Sequence, residues 1–387
     1  MTATTVSGVD LRRPTQIRPD LVLIGIVAAL SFLGLIMIYS TTAPRLEAVG
    51  ANPASEMVSQ AIYVAMGIAV LITASAFSDR TWQSLAPVVY VISAILLLAV
   101  LSPVGAIRQG AQRWISLGFM DLQPSEVAKP AVVMALALLL APAREGGVRW
   151  IRVAQAVAIA GVPAVLVFGQ PDLGTALVFG FVTVVMLFVA GTSFRQIAVL
   201  IVAAIIALVA ALELGLLHDY QINRLVGFLN TDEHALSLNY NQNQSQIAIG
   251  AGGLFGQGLF QGTQTNLAFV PEQSTDFIFT AVGEQLGFAG GALVLGLYGL
   301  MIWRMLLVAN QARDRFAQLT AAGIAAMFAF HVFVNIGMTV GILPVTGIPL
   351  PFLSAGGSFY MSMMLAVGVV NSIWMRRIRP GQRPFTG

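Results

Sequence analysis

The strongest constraint on this chain is a series of apolar runs, each about as long as a bilayer is thick. A helix of about 20 apolar residues crosses the hydrocarbon core, and ten stretches of the sequence meet that requirement. They are roughly 20–42, 58–77, 84–103, 124–142, 153–169, 174–190, 195–216, 276–303, 317–340 and 356–375. Only 10% of the 387 residues are charged, compared with about 25% in soluble domains. The sequence therefore predicts an all-α integral membrane protein with about ten transmembrane helices.

The two shortest candidates, 153–169 and 174–190, are separated only by the sequence GQPDLG. We expect two closely packed spans here. The alternative is a re-entrant pair that does not cross the membrane. The first run, at 21–38, is too long for a removable signal peptide and lacks a small-residue cleavage site.

The distribution of basic residues predicts the orientation of the spans. If the N-terminus is cytoplasmic, fifteen of the 20 lysine and arginine residues fall on the cytoplasmic side. They are Arg12, Arg13, Arg18, Arg80, Arg144, Arg149, Arg152, Arg195, Arg304, Arg313, Arg315, Arg376, Arg377, Arg379 and Arg383. Because cytoplasmic segments are enriched in Lys and Arg, we expect both termini inside, with tails at 1–19 and 376–387 around a membrane domain at 20–375. These residues form no basic stripe, so the net charge of +3 does not indicate nucleic-acid binding.

This topology places one long segment, 217–275, outside the membrane as an extracytoplasmic loop between the seventh and eighth spans. It is rich in Asn and Gln (LNYNQNQSQ) and then in Gly (GAGGLFGQG). Long loops in compact proteins are commonly functional, and the spacing of Ile247, Ile249, Leu254 and Phe255 predicts that part of the loop packs on the membrane domain. The glycine-rich stretch lacks the Gly-Lys-Ser/Thr ending of a phosphate-binding loop. The chain also has no cysteine for disulfides or thiolate metal sites.

Three carboxylates, Glu272, Asp276 and Glu284, lie at the mouth of the eighth span and inside it. A carboxylate at membrane depth is costly and by default indicates a functional site. Asp276 directly precedes the apolar run FIFTAVG, so its alternative role is that of a helix N-cap. Glu284 lies about 12 Å deeper at about 1.5 Å per residue. We interpret it as a packing carboxylate paired with a polar group of a neighbouring helix.

The only lysine of the chain, Lys129, follows Glu126 by three residues at the start of the fourth span. Residues at this spacing share one helix face, so the two side chains can form an ion pair. The pair is either a self-neutralising device that eases membrane insertion or a polar group aimed at a substrate near the outer surface.

The few outward basic residues include three arginines, Arg108 and Arg113 in RQGAQRWISLG and Arg224 in YQINRL. The planar guanidinium matches phosphate oxygens in a forked geometry, which suits a phosphate-bearing substrate. The alternative for each arginine is anchoring to a lipid headgroup.

A further segment, ILPVTGIPLPFLSAGGS at 342–358, contains three prolines and three glycines, which is incompatible with a regular helix. Non-helical backbone at membrane depth is tolerated only where it is buried in protein or lines a cavity. The many apolar residues of the segment favour packing into the protein over an ordinary outward loop.

These stretches, in this order, resemble the SEDS polymerases (shape, elongation, division and sporulation), which include RodA and FtsW. The matching sequences are QRWISLGFMDLQPSEVAKP, QPDLGTA, NQSQIAIGAGGLFGQGLFQGTQ, VPEQSTDFIFTAVGEQLGF and NIGMTVGILPVTGIPLPFLSAGGS, from about residue 110 to 375. FQGTQ, QPDLGTA and ILPVTGIPLPF are similar to the RodA, or elongation, branch.

The resemblance implies a peptidoglycan glycosyltransferase that polymerises lipid II during cell elongation, in the bacterial cytoplasmic membrane with its active site facing outward. It also implies a divalent cation (Mg²⁺ or Mn²⁺) as cofactor and a class B penicillin-binding transpeptidase as partner in a membrane-embedded elongation complex. By resemblance, Asp276 falls on the essential aspartate of the family, and Glu126 and Lys129 fall on polar residues of its fourth span.

Two positions depart from the family pattern. The family usually has His-Thr before the aspartate, where this chain has Ser274-Thr275. It usually has Ser-Tyr-Gly-Gly where this chain has SAGG at 354–357. The first departure removes a histidine that could relay a proton.

On this basis we hypothesise that Asp276 is the general base for the 4-hydroxyl of the acceptor N-acetylglucosamine. That hydroxyl attacks the anomeric carbon of the donor N-acetylmuramic acid with inversion, and undecaprenyl pyrophosphate leaves. Lys129, or outward arginines together with a divalent ion, would neutralise the pyrophosphate. The alternative is that Asp276 binds the metal and another group takes the proton. The candidate substrate-binding residues are Arg108, Arg113, Arg224, Glu272, Gln273 and Ser358.

Two other functions fit parts of the pattern, a lipid II flippase and a non-catalytic scaffold of a transpeptidase. A transporter binds its substrate near the bilayer midplane, and Glu284 and His331 are the residues that would serve it. Glu126, Lys129 and Asp276 map near the outer face instead, which favours an enzyme that acts there.

Overall fold

The computed structural model describes residues 18–108, 111–118, 120–142, 147–215 and 240–377. Within these ranges the chain forms twelve helices. They are α1 Leu21–Ala48, α2 Ser55–Ala76, α3 Asp79–Val100, α4 Pro124–Leu140, α5 Trp150–Phe168, α6 Leu173–Val189, α7 Phe194–Glu213, α8 Tyr240–Ala251, α9 Thr263–Asn266, α10 Ile278–Asn310, α11 Arg315–Thr339 and α12 Gly357–Met375. Three short strands, β1 Ala106–Arg108, β2 Ala111–Ser116 and β3 Asp121–Leu122, pair antiparallel in the order β1-β2-β3.

Eight of the described helices are long and apolar enough to cross a membrane, namely α1, α2, α3, α5, α7, α10, α11 and α12. Helices α4 and α6 have 17 residues each. The structure confirms the predicted all-α membrane class, and the total of ten spans stays a prediction. The segments 153–169 and 174–190 form two separate helices, α5 and α6, which pack against each other.

Contacts between helix ends define two ends of the bundle. The end that carries the sheet and the α11–α12 connection is called the site end here. There, the backbone N–H of Gln123, ahead of α4, donates to Ser358 Oγ at the start of α12. At the opposite end, called the arginine end, Arg304 forms an ion pair with Asp20 at 2.8 Å. The described arginines at the arginine end are Arg18, Arg80, Arg149, Arg152, Arg195, Arg304, Arg313, Arg315, Arg376 and Arg377.

The interior of the bundle lies along α4, α11 and α12, whose residues are mostly buried. In contrast, α7 is apolar all round but has only Gln196 and Ile197 buried, so most of its surface is free to face lipid. Polar side chains on α4, α11 and α12 are therefore surrounded by protein. This is the setting in which buried polar groups are tolerated at membrane depth.

The eighth predicted span corresponds to α10, which is interrupted at Gly287 (φ 65°, ψ −164°). The glycine-rich part of the long loop packs against this interruption. Gln257 N–H donates to Glu284 O at 2.9 Å, and Phe288 N–H donates to Gly253 O at 2.9 Å. The backbones approach so closely that a Cβ on Gly256 would lie 2.1 Å from Gln285 O. These glycines therefore serve close packing between the loop and the helix.

Part of the long loop packs on the membrane domain, as predicted, but only one of the four apolar residues that indicated this packs inward. Ile249 packs against the core, whereas Ile247, Leu254 and Phe255 are exposed. The reason is that glycine backbone, and not apolar side chains, supplies much of the contact with α10.

Replacing Gly287 with alanine should lower the stability of the protein. Its φ and ψ lie in a region essentially restricted to glycine, where strain costs about 1–3 kcal/mol, and a Cβ would meet Gly256 N at 2.3 Å. A Cβ on Gly296, in the same helix, would meet no neighbouring group within 4 Å, so Gly296→Ala is the matched control and should stabilise slightly. Thermal unfolding of the purified variants measures the difference. Equal melting temperatures would show that the interruption of α10 is not maintained.

Candidate functional site

A buried ion pair forms the first part of the candidate site. Lys129 Nζ lies 2.8 Å from Glu126 Oε1 and 2.9 Å from Oε2, and the two side chains are 2% and 3% exposed. Pro124 occupies the first turn of α4, where its missing N–H costs nothing, so the helix begins just before the pair. The pair thus lies at the site end of the bundle and is shielded from lipid.

Helix α12 supplies a hydrogen bond that α4 cannot make next to this pair. In a regular helix the Glu126 carbonyl would accept the N–H of the residue four positions on, but that residue is Pro130. Ser362 Oγ donates to the Glu126 carbonyl at 2.6 Å instead. The ring of Phe359, also on α12, lies 5.4 Å from Lys129 Nζ, within the range of a cation–π contact. Ser362 and Phe359 therefore fix α12 against the charged face of α4.

The aspartate of the VPEQSTDF stretch forms the second part of the site. Asp276 is partly buried, and Phe277 occupies the N-cap of α10, so Asp276 lies one residue before the cap. Three successive carbonyls of this stretch each accept a hydrogen bond from the α11–α12 region. The bonds run from Ala355 N to Ser274 O at 2.9 Å, from Ser354 Oγ to Thr275 O, and from Asn335 Nδ2 to Asp276 O at 2.8 Å.

The non-helical segment that joins α11 to α12 lies against this aspartate. A Cβ on Gly347 (φ 73°) would lie 3.3 Å from Asp276 Oδ2, so glycine allows the two to approach. Most apolar residues of the segment that could pack inward do so: Ile348, Leu350, Phe352 and Leu353 are at most 3% exposed. Ile342 is exposed. The prediction that this segment packs into the protein is confirmed for its central part.

Two residues of α11, one turn apart, join the two parts of the site. Asn335 Nδ2 also donates to Ile348 O at 2.7 Å. His331 Nδ1 lies 3.3 Å from Pro349 O, and His331 Nε2 lies 3.3 Å from Lys129 Nζ. Helix α11 therefore connects the two parts of the site, with His331 on the ion pair and Asn335 on the backbone of Asp276.

Asn335 and Ser354 were not singled out from the sequence. Asn335 has the i, i+4 spacing to His331 inside an apolar run, which places both on one helix face and could have identified it. The Ser354 hydroxyl bonds to a backbone carbonyl of another segment, and the sequence gives no signal for such a contact.

The outward arginines differ in how they are placed. Arg113, on β2, donates through Nε to Gln170 O at 2.8 Å and through Nη2 to Pro171 O. Its guanidinium thus holds the turn between α5 and α6, next to Asp172, which caps α6. Arg108 lies in β1, but its side chain lies outside the described part of the chain. Arg224 also lies outside the described residues.

The other three candidate substrate-binding residues take part in local structure. Glu272 is exposed and has a left-handed backbone (φ 51°). Gln273 is buried, and its amide donates to Thr265 Oγ1 and Thr280 Oγ1 at 3.0 Å each. Ser358 Oγ accepts the N–H of the residue ahead of α4. Their roles in binding substrate stay predictions.

Glu284 packs against the long outward loop. Its carboxylate accepts from Gln264 N at 2.7 Å, Thr265 N at 3.1 Å and Thr265 Oγ1 at 2.6 Å, at the N-terminus of the short helix α9. A helix N-terminus favours a negative charge. Glu284 is therefore a packing carboxylate, as expected, and its partner helix belongs to the loop. This contact occupies one of the two groups that a transporter would need.

The sequence profile of the FTSW_RODA_SPOVE family of cell cycle proteins matches residues 20–378. The chain is 40% identical over 320 residues to the peptidoglycan glycosyltransferase MrdB of Escherichia coli K12, covering 81% of this chain and 84% of that protein. It is 37% identical over 357 residues to stage V sporulation protein E of Bacillus subtilis, covering 92% and 96%.

Solved structures resemble the whole fold. A component of a peptidoglycan synthase complex that coordinates polymerization and crosslinking superimposes with a TM-score of 0.77 at 29% identity, covering 92% of this chain and 98% of that one. The rod shape determining protein RodA of Thermus thermophilus superimposes with a TM-score of 0.69 at 28% identity, covering 95% and 100%.

Replacing Lys129 with methionine should destabilise the protein by about 3–5 kcal/mol, because removing one partner leaves a buried charge uncompensated. The double variant Glu126→Gln/Lys129→Met removes both charges and should recover much of that loss. The free energies of unfolding of the two single variants and the double variant, measured by denaturant titration, test the coupling. Additive losses would show that the two charges do not stabilise each other.

Proposed function

The chain belongs to the FtsW/RodA/SpoVE family and is a peptidoglycan glycosyltransferase, and we propose that it polymerises lipid II through the residues around Asp276. The observation that carries this assignment of the site is the way Asp276 is held. Its own carbonyl and the two before it are fixed by Asn335, Ser354 and Ala355. A general base must be held within hydrogen-bond reach of the proton that it removes, and a backbone fixed at three successive residues supports such a role for Asp276.

In the proposed reaction, the Asp276 carboxylate accepts the proton of the 4-hydroxyl of the acceptor N-acetylglucosamine. The oxygen forms a bond to the anomeric carbon of the donor N-acetylmuramic acid from the face opposite the leaving group. The bond from that carbon to the pyrophosphate oxygen breaks, and undecaprenyl pyrophosphate leaves with the electron pair. The configuration at the anomeric carbon is therefore inverted.

The leaving pyrophosphate needs positive charge close by. Lys129 supplies an ammonium group to the described site. Its pairing with Glu126 and its contact with His331 of α11 fix its position. His331 in turn contacts the segment that lies against Asp276. Arg108 and Arg224 fall in outward segments of the predicted topology, and we propose that they add to this charge. Arg113 donates to two backbone carbonyls and holds the turn between α5 and α6.

The described protein side chains could supply only some of the ligands of a divalent cation at this site. Among the described residues, no cluster of three or more His, Asp or Glu side chains could hold a metal ion by itself. Mg²⁺ is commonly bound by one or two carboxylates together with substrate phosphates. We propose that Asp276 and the pyrophosphate oxygens would hold such an ion, which would supply charge neutralisation.

We further propose that the chain works in cell elongation with a class B penicillin-binding transpeptidase. The resemblance to a component of a peptidoglycan synthase complex supports a partner of this kind. The protein is a multi-pass protein of the bacterial inner membrane. The collection of arginines at the arginine end supports an orientation with both termini in the cytoplasm and the site end outside.

Asp276→Asn should reduce polymerisation of labelled lipid II by at least about 10²-fold, the lower range of general-base catalysis, without lowering the melting temperature. The assay uses the purified chain with a class B transpeptidase and a divalent cation, and separates glycan strands by length. Glu56→Gln is the matched control, since Glu56 is exposed at the same end. Turnover by Asp276→Asn near that of the wild type would remove Asp276 from the mechanism. Transfer of lipid II across liposomes without polymer would indicate a flippase instead.

The same variant separates the two proposed roles of Asp276. If the carboxylate binds the cation, Asp276→Asn should need a higher Mn²⁺ or Mg²⁺ concentration and regain activity there. If it is the general base, added cation should not restore turnover. A titration of polymerisation against cation concentration distinguishes the two results.

Ser354→Ala should lower kcat about tenfold with little change in KM. The serine hydroxyl donates to Thr275 O and accepts from Leu350 N. Loss of one such bond is worth about 0.5–1.5 kcal/mol, and about 1.4 kcal/mol is a tenfold change in rate. Ser372→Ala is the matched control, because Ser372 is also a fully buried serine, on α12, and its hydroxyl has no partner. Equal activity of the two variants would show that the hold on the Asp276 backbone does not matter for catalysis.

A further inference from the structure

His331 is the only histidine in the described part of the chain, and the proposed reaction does not use it. It lies on α11, it is fully buried, and its ring packs against that of Phe359 with centroids 5.3 Å apart. Each nitrogen of this buried imidazole has a polar neighbour.

The two contacts of His331 define its protonation. The Lys129 ammonium can only donate hydrogen bonds, so His331 Nε2, at 3.3 Å from Lys129 Nζ, must accept. The carbonyl of Pro349 can only accept, so His331 Nδ1, at 3.3 Å from that oxygen, must donate. Both contacts are satisfied only by the neutral ring with its proton on Nδ1. A second proton would place an N–H against the ammonium group.

The contact with His331 completes the hydrogen bonding of Lys129. An ammonium group has three N–H donors, and three acceptors surround Lys129 Nζ. Two are the oxygens of Glu126 at 2.8 and 2.9 Å, and the third is His331 Nε2 at 3.3 Å. A pyrophosphate oxygen can therefore reach Lys129 only by replacing one of them. The bond to the neutral nitrogen is the longest of the three, and bonds to a carboxylate are stronger, so the His331 contact is the one that exchanges.

We propose that His331 is a positioning residue that holds the third N–H of Lys129 before the donor binds and gives it up to the pyrophosphate of the lipid-linked donor. Through Nδ1 it also holds the Pro349 carbonyl and with it the segment that lies against Asp276. His331 thereby orients the ammonium toward the donor phosphate. It also fixes the position of the ion pair relative to the Asp276 stretch. This inference rests on the proposed function, since the ligand is its lipid pyrophosphate.

Two variants separate these contacts from simple filling of space. His331→Gln retains one acceptor and one donor, whereas His331→Phe keeps a ring and removes both. Thr320→Val is the control on the same helix, because Thr320 is fully buried and its hydroxyl has no partner. We expect His331→Gln and Thr320→Val to polymerise lipid II within about threefold of the wild type.

For His331→Phe we expect kcat to fall about tenfold, the upper range of the loss that follows from one missing hydrogen bond. We expect inhibition by undecaprenyl pyrophosphate to become tighter or stay unchanged. Removing the imidazole frees one N–H of Lys129 for the pyrophosphate, so binding does not weaken even though the segment beside Asp276 is less well held. A role limited to packing would weaken catalysis and product binding together. That result, or an equal loss of activity in His331→Gln and His331→Phe, would overturn the proposal.

The single lysine of the chain gives a readout that does not depend on turnover. In protein labelled with ζ-¹⁵N-lysine, one side-chain signal reports on Lys129. Adding undecaprenyl pyrophosphate to the wild type should move this signal, and His331→Phe, but not His331→Gln, should displace it before any addition. A wild-type signal that does not respond to undecaprenyl pyrophosphate overturns the inference even if His331→Phe does not fold. A wild type that makes no polymer, with a responsive lysine, refutes the proposed function instead.

Discussion

The arrangement of the bundle depends on one requirement, that the buried ammonium of Lys129 be matched by acceptors on every side. Removing a charge from water costs several kcal/mol per ion even after relaxation, so Glu126 alone is not sufficient for a stable site. Helix α11 supplies the imidazole of His331, and α12 supplies the ring of Phe359. The Ser362 hydroxyl of α12 donates to the backbone carbonyl of Glu126 and so joins the same two helices. These contacts require α11 and α12 to lie directly against α4. The three helices are accordingly the best-buried part of the structure.

A second requirement, the satisfaction of backbone groups that lie outside regular helix, explains how the aspartate is held. Irregular backbone near the membrane is stable only where protein supplies its hydrogen bonds. Asn335 does so for two segments at once, since its amide bonds both Asp276 O and Ile348 O. The glycine-rich loop does the same at the interruption of α10, backbone to backbone. The same hydrogen bonds that satisfy the backbone groups of these irregular segments therefore also fix the segments around the site.

The sequence predicted the all-α membrane class because apolar length indicates it. It predicted the ion pair because helical spacing brings Glu126 and Lys129 to one face. It did not predict the interruption at Gly287, because the apolar run continues through that residue. It also missed Asn335 and Ser354, whose partners are backbone carbonyls of a segment far away in the chain. For Arg113 the residue type indicated phosphate, while the fold presents two carbonyls to it. Which group a side chain bonds to depends on the tertiary structure, and composition and residue spacing do not predict it.

The balance of charge at the site bears on the proposed need for a divalent cation. Among the site groups described above, the carboxylates of Glu126, Asp172 and Asp276 outnumber the cationic side chains of Lys129 and Arg113 by one. A lipid-linked pyrophosphate brings about two further negative charges, and their repulsion by Asp276 is strong where water is excluded. An exchange of the Lys129 contact from His331 to phosphate changes hydrogen bonding but adds no positive charge. We therefore propose that additional cationic charge enters with the substrate, either as a divalent ion or from the arginines of the outward segments.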